Sequence, residues 1–367
     1  MAFLEFKNVR IAGIAAGVPK NISSNLHPTD KDMVSSDYTP EDYVKTTGVL
    51  ERRTSRKLTT SDLSYGAAEK LIADLGWDKD EIDALVFVSQ TPDYILPATA
   101  CILQDRLGLN KECMAFDVSL GCSGWVYGLS AVAGLIRNGA KKALLLAGDA
   151  RPRVKIDGEA RDPLFGSAGT ATAVVFDENY DGLKFHFGTD GSGFDAIITP
   201  EGGSRGQIKP SSFDKENVEG LMKCRLQTRM QGMDVFSFGI TTAPKSVKKL
   251  GEHFGFDYLD YDYFVFHQAN MKMNNMIVKK LKLAPEKAPS CMYHFGNTSS
   301  ASIPLTIVSQ LKEKCENTPS KFICCGFGVG LSWGTVAFES QSMIISSLVE
   351  MADEEADQKY VVESLFT

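Results

Sequence analysis

Two stretches of the chain, residues 75–91 (LGWDKDEIDALVFVSQT) and residues 254–270 (FGFDYLDYDYFVFHQAN), align with each other without a gap. In both, a stretch typical of a helix ends at glycine, aspartate recurs at the same two places, and a run typical of a buried strand follows. The order of helix, strand, helix, strand and glycine-rich turn is used twice, which indicates an internal duplication. We therefore predict an α/β fold made of two similar halves.

Continuous apolar runs predict buried strands in this fold. They lie at residues 142–148, 170–177 and 321–328. We expect the first half to span residues 1–177 and the second to span residues 178–339. Turns at the strand ends of both halves would then face a shared cleft, where folds of this class commonly bind ligands.

The remaining residues, 340–367, differ in composition from both halves. They contain six acidic residues and one lysine, and Ile344, Leu348 and Met351 follow helical spacing. An apolar stripe with this spacing usually packs against the body of a protein. We predict a short, acidic and helical C-terminal extension.

The composition is that of an ordinary globular protein. The 367 residues are 43% hydrophobic and 23% charged, and 39 basic residues against 46 acidic ones give a net charge of −7. These values exclude disordered, collagenous and coiled-coil chains, and they argue against nucleic acid as a partner. There is no recognisable signal peptide and no apolar stretch of about 20 residues. We expect a cytoplasmic protein with no membrane partner.

The histidines and cysteines do not follow the spacing of a zinc site. The eight cysteines contain no CxxC pair, and the five histidines form no HExxH or HxH cluster. We therefore expect neither a metal nor another cofactor.

A candidate nucleophile lies in residues 117–139, DVSLGCSGWVYGLSAVAGLIRNG, which run from a predicted strand through a glycine turn into a predicted helix. The turn places Cys122 at the helix start, where the helix dipole and free N–H groups would lower the pKa of its thiol. Gly121 and Gly124 would allow a tight turn and leave room for an acyl group. On sequence context alone, a buried structural cysteine fits this place equally well.

The second half offers two polar groups on corresponding turns. His267 follows the predicted strand in FVFHQAN, and Asn297 lies in HFGNTSSAS. A neutral imidazole and a carboxamide can both donate hydrogen bonds to a thioester oxygen that becomes negative. A single histidine at a strand end is usually structural, but three such residues on corresponding turns indicate a site for thioester chemistry.

Four motifs, GCSGW, HQAN, GNTSSAS and CGFGVGLSWG, occur in this order, and TTGVLERR, LPATACILQDRLG and MQGMDVFSFGI accompany them. Over roughly residues 5 to 339 the chain resembles the β-ketoacyl-acyl-carrier-protein synthase III family, condensing enzymes with the thiolase fold. The resemblance implies a duplicated thiolase-like fold with layers in the order αβαβα, followed here by the short C-terminal extension.

The resemblance also implies a role for each site residue. Cys122 would be acylated by a starter thioester, while His267 and Asn297 would bind the malonyl thioester of acyl carrier protein. Loss of carbon dioxide then gives an enolate, which attacks the acyl-Cys and forms a β-ketoacyl thioester. The backbone N–H groups of Cys122 and Val329 would form the oxyanion hole.

The same resemblance implies a homodimer. Several residues that differ from the family pattern concern the substrate. Leu96 stands where a partner-subunit phenylalanine often closes the acyl pocket, so a longer or branched acyl group could enter. Asp42 and Thr46 stand where the family has a tryptophan and an arginine that hold the adenine of coenzyme A. Ser167 replaces an acidic residue of the family.

An acidic carrier protein would need a local basic surface on this acidic chain. Lys272, Lys279 and Lys280 match basic positions near the active-site entrance in the family. A solvated helix face is the simpler interpretation of these lysines, and we favour docking.

Three alternative functions are open. An acyltransferase of the same fold would pass the acyl group to an oxygen or nitrogen nucleophile in specialised or polysaccharide metabolism, but it would not need HQAN and GNTS. A non-catalytic partner subunit would normally lack Cys122. A degradative thiolase would have a second catalytic cysteine in the late glycine-rich turn, which here reads GFGVGLSWG.

Overall fold

The computed structural model of the protein describes residues 2–27, 39–150, 163–218, 221–316 and 318–361. These residues form eight α-helices: α1 (Pro40–Thr47), α2 (Thr60–Leu75), α3 (Thr99–Leu107), α4 (Gly124–Arg137), α5 (Gly232–Phe254), α6 (Met271–Lys280), α7 (Met292–Phe295) and α8 (Ser302–Cys315). No helix among the described residues is both long enough and apolar enough to cross a membrane.

The same residues form eighteen strands: β1 (Ala2–Phe6), β2 (Val9–Pro19), β3 (Ile22–Ser24), β4 (Glu51–Arg53), β5 (Ala84–Val88), β6 (Met114–Val118), β7 (Lys142–Asp149), β8 (Ala168–Phe176), β9 (Leu183–Thr189), β10 (Ile197–Ile198), β11 (Glu216–Val218), β12 (Leu221–Lys223), β13 (Arg229–Met230), β14 (Tyr263–Phe266), β15 (Ser320–Gly328), β16 (Ser332–Ser340), β17 (Ile344–Ile345) and β18 (Val349–Met351). The three apolar runs predicted as buried strands are confirmed as β7, β8 and β15.

Two large sheets repeat one pairing pattern. The first has the order β17-β2-β8-β7-β5-β6, and the second has the order β1-β9-β16-β15-β14. In the first, β5 pairs with β7 in parallel, and β7–β8 and β8–β2 are antiparallel. In the second, β14 pairs with β15 in parallel, and β15–β16 and β16–β9 are antiparallel. The predicted duplication is therefore present in the strand topology.

The two stretches that predicted the duplication fold alike, residue by residue. Helix α2 ends at Gly76 and helix α5 ends at Gly255, both in the left-handed conformation with φ of 61° and 73°. Each glycine is followed by an aspartate, Asp78 or Asp257, which caps a single 3₁₀ turn before the strand. Glycine suits these helix ends because it has no Cβ to clash at positive φ.

The second aspartate of each repeat also makes the same kind of contact in both halves. Asp83 accepts hydrogen bonds from the backbone N–H groups of Lys141 (2.6 Å) and Lys142 (3.2 Å), where β7 begins. Asp262 accepts one from the N–H of Lys321 (2.8 Å) in β15. These bonds join each repeat to the next strand of its own sheet.

The layers are in the order that the resemblance implied. Helices α2 and α3 cover the outer face of the first sheet, and α5 and α6 cover the outer face of the second. Helices α4 and α8 lie between the sheets and bury their apolar faces against both. The result is the αβαβα arrangement of a thiolase-like fold.

The sheets do not follow the predicted division of the chain at its N-terminal end. Strand β1 precedes residue 177, yet it pairs with β9 in the second sheet. The short loop between β1 and β2 carries the chain from the second sheet to the first. The first few residues of the predicted first half therefore belong to the second sheet.

The C-terminal extension contains no α-helix between residues 341 and 361, only a single 3₁₀ turn at Asp353–Glu355, so the prediction of a helical extension is wrong. Strands β17 and β18 both pair in parallel with β2, at Gly13–Ile14 and at Gly17–Pro19. Strand β2 is otherwise an edge strand, so its free backbone groups draw the extension into extended conformation. The apolar end at residues 362–367 lies outside the described residues.

Candidate active site

Cys122 lies in the turn between β6 and α4, directly before Ser123, the N-cap residue of the helix. The predicted position at a helix start is confirmed. Strand β15 crosses this turn so closely that a β-carbon at Gly328 would lie 2.9 Å from the Cys122 sulfur. One at Gly326 would lie 2.8 Å from its carbonyl oxygen. The glycines of CGFGVGLSWG therefore bring the second half of the chain against the nucleophile.

The two glycines beside Cys122 do not leave space for an acyl group. A β-carbon at Gly121 would lie 2.3 Å from Oε1 of Gln90, and one at Gly124 would lie 2.6 Å from Cγ1 of Val88. The space is filled by the end of β5 and the residues after it. That expectation is wrong, because the protein itself occupies the space beside both glycines.

The surroundings of Cys122 raise the pKa of its thiol, contrary to the sequence-based expectation that the helix start would lower it. Burial, followed by the nearby Asp149 carboxylate, raises the pKa of Cys122 to about 11. Hydrogen bonds from the Ser299 side chain and from the N–H groups of Val329 and Cys122 itself oppose the rise. Desolvation disfavours the thiolate more strongly than these donors stabilise it, so the resting nucleophile is a thiol.

The Val329 N–H bonds the Cys122 sulfur, and a small network of hydroxyl groups holds the turn in which Val329 lies. The Ser332 hydroxyl donates to the Val329 carbonyl at 2.8 Å, and Ser123 contacts the Ser332 hydroxyl at 2.7 Å. This network links the start of α4 to the turn after β15. Two backbone N–H groups, of Cys122 and Val329, therefore donate to the Cys122 sulfur, and their role as an oxyanion hole stays a prediction.

His267 directly follows β14 and is almost fully buried. Burial lowers its pKa to about 3, although a hydrogen bond with the Ser299 backbone opposes this. Its Nδ1 lies 2.8 Å from the Ser302 hydroxyl, and its ring packs edge-on against Phe327. The imidazole is neutral at physiological pH and held in one orientation, which suits a hydrogen-bond donor better than a base.

Asn297 is also buried, in the turn before α8. Its carboxamide oxygen accepts a hydrogen bond from the N–H of Ser299 at 2.9 Å. Its backbone pairs with the segment around Phe165, as its N–H donates to the Leu164 carbonyl at 2.9 Å. Because the oxygen is engaged, the NH₂ end is the part of the carboxamide suited to bind an anionic oxygen.

Ser299 connects all three candidate residues, and sequence analysis missed it. Its hydroxyl contacts the Cys122 thiol, its backbone contacts the His267 ring, and its N–H donates to Asn297. It adopts a left-handed backbone with φ of 52°, which is unfavourable for serine. Such conformations are found where surrounding contacts enforce them, often at functional sites. The structure thus brings Cys122, His267 and Asn297 together.

Asp149, at the end of β7, is a second residue that sequence analysis missed. Its Oδ1 accepts hydrogen bonds from the Ser89 hydroxyl (3.1 Å), the Gln90 N–H (2.8 Å) and the Thr91 hydroxyl (3.1 Å). Burial raises its pKa even though these donors and Ser299 stabilise the carboxylate. The carboxylate ties the residues after β5 to the site, and no motif identified it.

The three predicted docking lysines are exposed on α6, but their ammonium groups differ. Lys280 donates to the Ile240 carbonyl at 3.0 Å. In a regular helix the Ile240 carbonyl would accept a hydrogen bond from the N–H of residue 244. That residue is Pro244, which has no N–H, so the carbonyl lacks this bond within α5. Lys272 lies over the Phe236 ring at 5.9 Å. Lys280 is therefore partly engaged in supporting α5.

Of the residues that depart from the family pattern, Asp42, Thr46 and Leu96 are exposed and Ser167 is buried. Asp42 and Thr46 are exposed on α1, which packs against α6. Ser167 is buried, and its N–H donates to the Arg53 carbonyl at 2.9 Å. Leu96 is 80% exposed in the loop before α3, so within one copy of the chain it is a surface residue outside the buried site.

Known proteins provide an independent comparison. Family models described as 3-oxoacyl-[acyl-carrier-protein (ACP)] synthase III and as its C-terminal part match residues 116–191 and 252–340. The β-ketoacyl-[acyl-carrier-protein] synthase III of Clostridium acetobutylicum is 32% identical over 335 residues, which cover 90% of this chain and 98% of that protein. The corresponding protein of Clostridioides difficile is 34% identical, over 88% of this chain and 96% of that one.

A solved structure agrees with these relatives. The crystal structure of a 3-oxoacyl-(acyl-carrier protein) synthase from Burkholderia xenovorans superposes with a TM-score of 0.85 at 38% identity, over 95% of this chain and 99% of that one. Sequence and structure therefore agree over almost the whole length of these relatives. The chain belongs to the β-ketoacyl-[acyl-carrier-protein] synthase III family.

Proposed function

We propose that the protein catalyses the decarboxylative Claisen condensation of an acyl starter with malonyl-acyl carrier protein, through an acyl-Cys122 intermediate. The observation that carries this is the set of contacts around Ser299. They bring one thiol together with two neutral donors, His267 and Asn297. A site with one nucleophile and two uncharged donors fits a reaction that makes an enolate without a base.

In the first half-reaction, the Cys122 sulfur attacks the thioester carbon of the starter. The new S–C bond forms, the bond to the carrier sulfur breaks, and the proton of the Cys122 thiol ends on the released carrier thiol. The N–H groups of Cys122 and Val329 stabilise the negative oxygen of the tetrahedral intermediate. Because the resting thiol has a high pKa, thiolate formation is part of the barrier to this step.

In the second half-reaction, malonyl-acyl carrier protein binds with its thioester oxygen towards His267 and Asn297. The bond to the carboxylate breaks, carbon dioxide leaves, and the electron pair forms an enolate stabilised by the two donors. The enolate carbon attacks the acyl-Cys122 carbonyl, and the cysteine sulfur leaves as a thiolate that regains a proton. The low pKa of His267 keeps the imidazole neutral, so it stabilises the enolate without protonating it.

The two half-reactions can be tested separately. Intact-mass measurement after incubation with an acyl thioester should show one added acyl group, and labelled malonyl-acyl carrier protein should then release carbon dioxide and yield the β-ketoacyl product. Acyl transfer to an alcohol or amine without carbon dioxide release would instead support the acyltransferase alternative. Absence of an acyl adduct with every starter tested would contradict the proposal.

We further propose that the starter and the malonyl group both arrive on acyl carrier protein. Lys272 and Lys279 provide exposed positive charge on α6. On the adjacent α1, the exposed Asp42 and Thr46 stand at the positions where the family has the tryptophan and arginine that hold the adenine of coenzyme A. A carrier protein gains affinity from surface charge, whereas free acyl-CoA depends on the nucleotide contacts. Loading from acyl carrier protein should therefore exceed loading from the matched acyl-CoA, and the advantage should shrink as salt rises.

The proposed assembly is a cytoplasmic homodimer in which Leu96 of one copy reaches the acyl pocket of the other. Its support is the high exposure of two apolar neighbours, Ile95 and Leu96, at 95% and 80%. Light scattering tests the dimer. For the pocket, Leu96→Phe should favour short starters over long ones, and an unchanged chain-length profile would contradict the assignment.

A further inference from the structure

The end of the described C-terminal extension, residues 353–361, lies against α3 and the loop that precedes it. The matching family model ends at residue 340, so the family match does not account for the contacts of this segment.

The first set of contacts joins the extension to helix α3. Lys359 forms an ion pair with Asp105 at 2.9 Å, and the Tyr360 hydroxyl donates to the same carboxylate. Asp357 pairs with Arg106 at 3.0 Å. Single exposed ion pairs contribute little, but here three neighbouring residues of the extension contact two neighbouring residues of one helix.

Arg106 is the buried centre of this set. Its side chain is 5% exposed and also pairs with Asp62, 4% exposed, at 3.1 Å. Its guanidinium lies 4.6 Å from the centroid of the Tyr65 ring and 5.9 Å from that of Tyr360. The Asp357 N–H donates to Asp62 at 3.3 Å. Arg106 Nε approaches Asp357 as an ion pair and not as an aligned hydrogen bond, so the extension is held against α3 by several neighbouring contacts together.

The second set of contacts joins the extension to the loop before α3. The Tyr94 hydroxyl donates to the Tyr360 carbonyl at 2.6 Å. On the other side of the loop, the Ser61 hydroxyl donates to Asp93 at 2.9 Å, and the Asp93 N–H donates to the Thr99 hydroxyl at 3.0 Å. The loop is thus held at positions 93, 94 and 99, while Ile95 and Leu96 between them project into solvent.

We infer that the C-terminal extension is a positioning element that sets the place of Ile95 and Leu96 and so tunes starter selectivity. This rests on the proposed function of Leu96 at the acyl pocket of a second copy. An apolar residue can discriminate chain length only if its backbone is fixed, because a mobile loop would yield to a longer chain. Tyr94 and Tyr360 supply the direct link from the extension to this loop.

The test compares three variants with the full chain. A chain ending at Ala356 removes residues 357–367, including Asp357, Lys359 and Tyr360, but keeps β18. Tyr94→Phe removes only the hydroxyl that bonds the Tyr360 carbonyl. Ser346→Ala is the matched control, because it also removes one hydroxyl bond between the extension and the body, to Asp74 at 2.7 Å, far from the loop in sequence.

Two measurements are needed. Hydrogen exchange of the peptide covering residues 92–98 should become about tenfold faster in the shortened chain and less so in Tyr94→Phe. The ratio of kcat/KM for octanoyl over acetyl starters should rise about fivefold or more in the shortened chain. Tyr94→Phe should shift both quantities in the same direction, and Ser346→Ala should leave both unchanged.

The outcomes separate this inference from the function on which it rests. Unchanged loop exchange in the shortened chain would overturn the inference. Faster exchange with an unchanged starter ratio would also overturn it, and Leu96→Phe then shows which part failed. If Leu96→Phe shifts the ratio, the role of Leu96 stands and the extension does not tune it. If it does not, the assignment of Leu96 is wrong.

Discussion

The two halves of the chain have the same strand topology and helix ends but different functional side chains at equivalent positions. Asp83 and Asp262 bind the start of the next strand in the same way, and Gly76 and Gly255 end equivalent helices. In the same alignment, however, His267 of the second half corresponds to Val88 of the first. The helix ends and the contacts at the strand starts occur in both halves because both sheets depend on them. Each candidate site residue, in contrast, occurs in only one half.

The nucleophile shows the same asymmetry. Cys122, before α4, corresponds to Ala301 before α8. In the proposed mechanism the first half supplies the covalent nucleophile and the second supplies the donors for the enolate. The comparison teaches that a duplicated fold can split a two-step reaction between its halves, with Ser299 as the point where they meet.

The strongest test removes the chemistry of the first half. Cys122→Ala should lower starter loading by about 10⁴-fold or more, because no other group replaces a covalent nucleophile. Intact mass and peptide mapping measure this. Cys113→Ala is the control and should load normally, since Cys113 packs with the apolar cluster of α2 and α3 and not with the residues around Ser299. Acylation of Cys113 or Cys324 in place of Cys122 would contradict the assignment.

The second test removes the donors of the second half. His267→Ala and Asn297→Ala should each keep starter loading but lower malonyl decarboxylation by roughly 10²- to 10³-fold, as for other oxyanion donors. Carbon dioxide release from labelled malonyl-acyl carrier protein measures this step. Unchanged release in both variants would show that the second half does not stabilise the enolate.

The two halves should also respond differently to pH. With a pKa of about 11 for Cys122, the thiolate fraction rises with pH, so alkylation of Cys122 should become about 100-fold faster between pH 7 and pH 9. With a pKa of about 3 for His267, the imidazole stays neutral above about pH 4, and decarboxylation by the acylated enzyme should be nearly flat from there to neutral pH. A plateau in alkylation near pH 7 would mean that the protein lowers the thiol pKa.

A finer test compares two serines at equivalent helix starts. Ser302 holds the His267 ring, while Ser123 supports the Val329 turn through Ser332. Ser302→Ala should slow decarboxylation by about tenfold and leave loading unchanged, whereas Ser123→Ala should slow loading more than decarboxylation. Equal effects of both variants on both half-reactions would indicate a purely structural role.

The smallest expected effects concern the lysines of α6. Lys279→Glu should raise the KM for acyl carrier protein several-fold and leave small pantetheine thioesters unaffected, since it changes only surface charge. Lys280→Met should change KM less but lower Tm by about 2 °C, because the Ile240 carbonyl loses its donor. An effect of Lys280→Met on KM alone would assign Lys280 to docking.

Periodicity and motif order were sufficient for the duplicated α/β frame and for Cys122, His267 and Asn297 as candidate site residues. Helix ends, strand runs and glycine turns depend on neighbours in sequence, and a repeat doubles the signal. The same reasoning from neighbours in sequence gave the wrong secondary structure for the C-terminal extension. Its apolar spacing matched a helix, but the free edge of β2 was not visible in the sequence, and pairing with that edge made strands.

Other properties depended on residues far apart in the chain. The high pKa of Cys122 comes from burial under β15 and from Asp149, and the engagement of Lys280 comes from a proline 36 positions earlier on another helix. Ser299 matters because three elements converge on it. The residue types and their order along the chain therefore established the chemistry available, whereas protonation, orientation and contact were decided by tertiary packing, because desolvation and hydrogen bonding act through space.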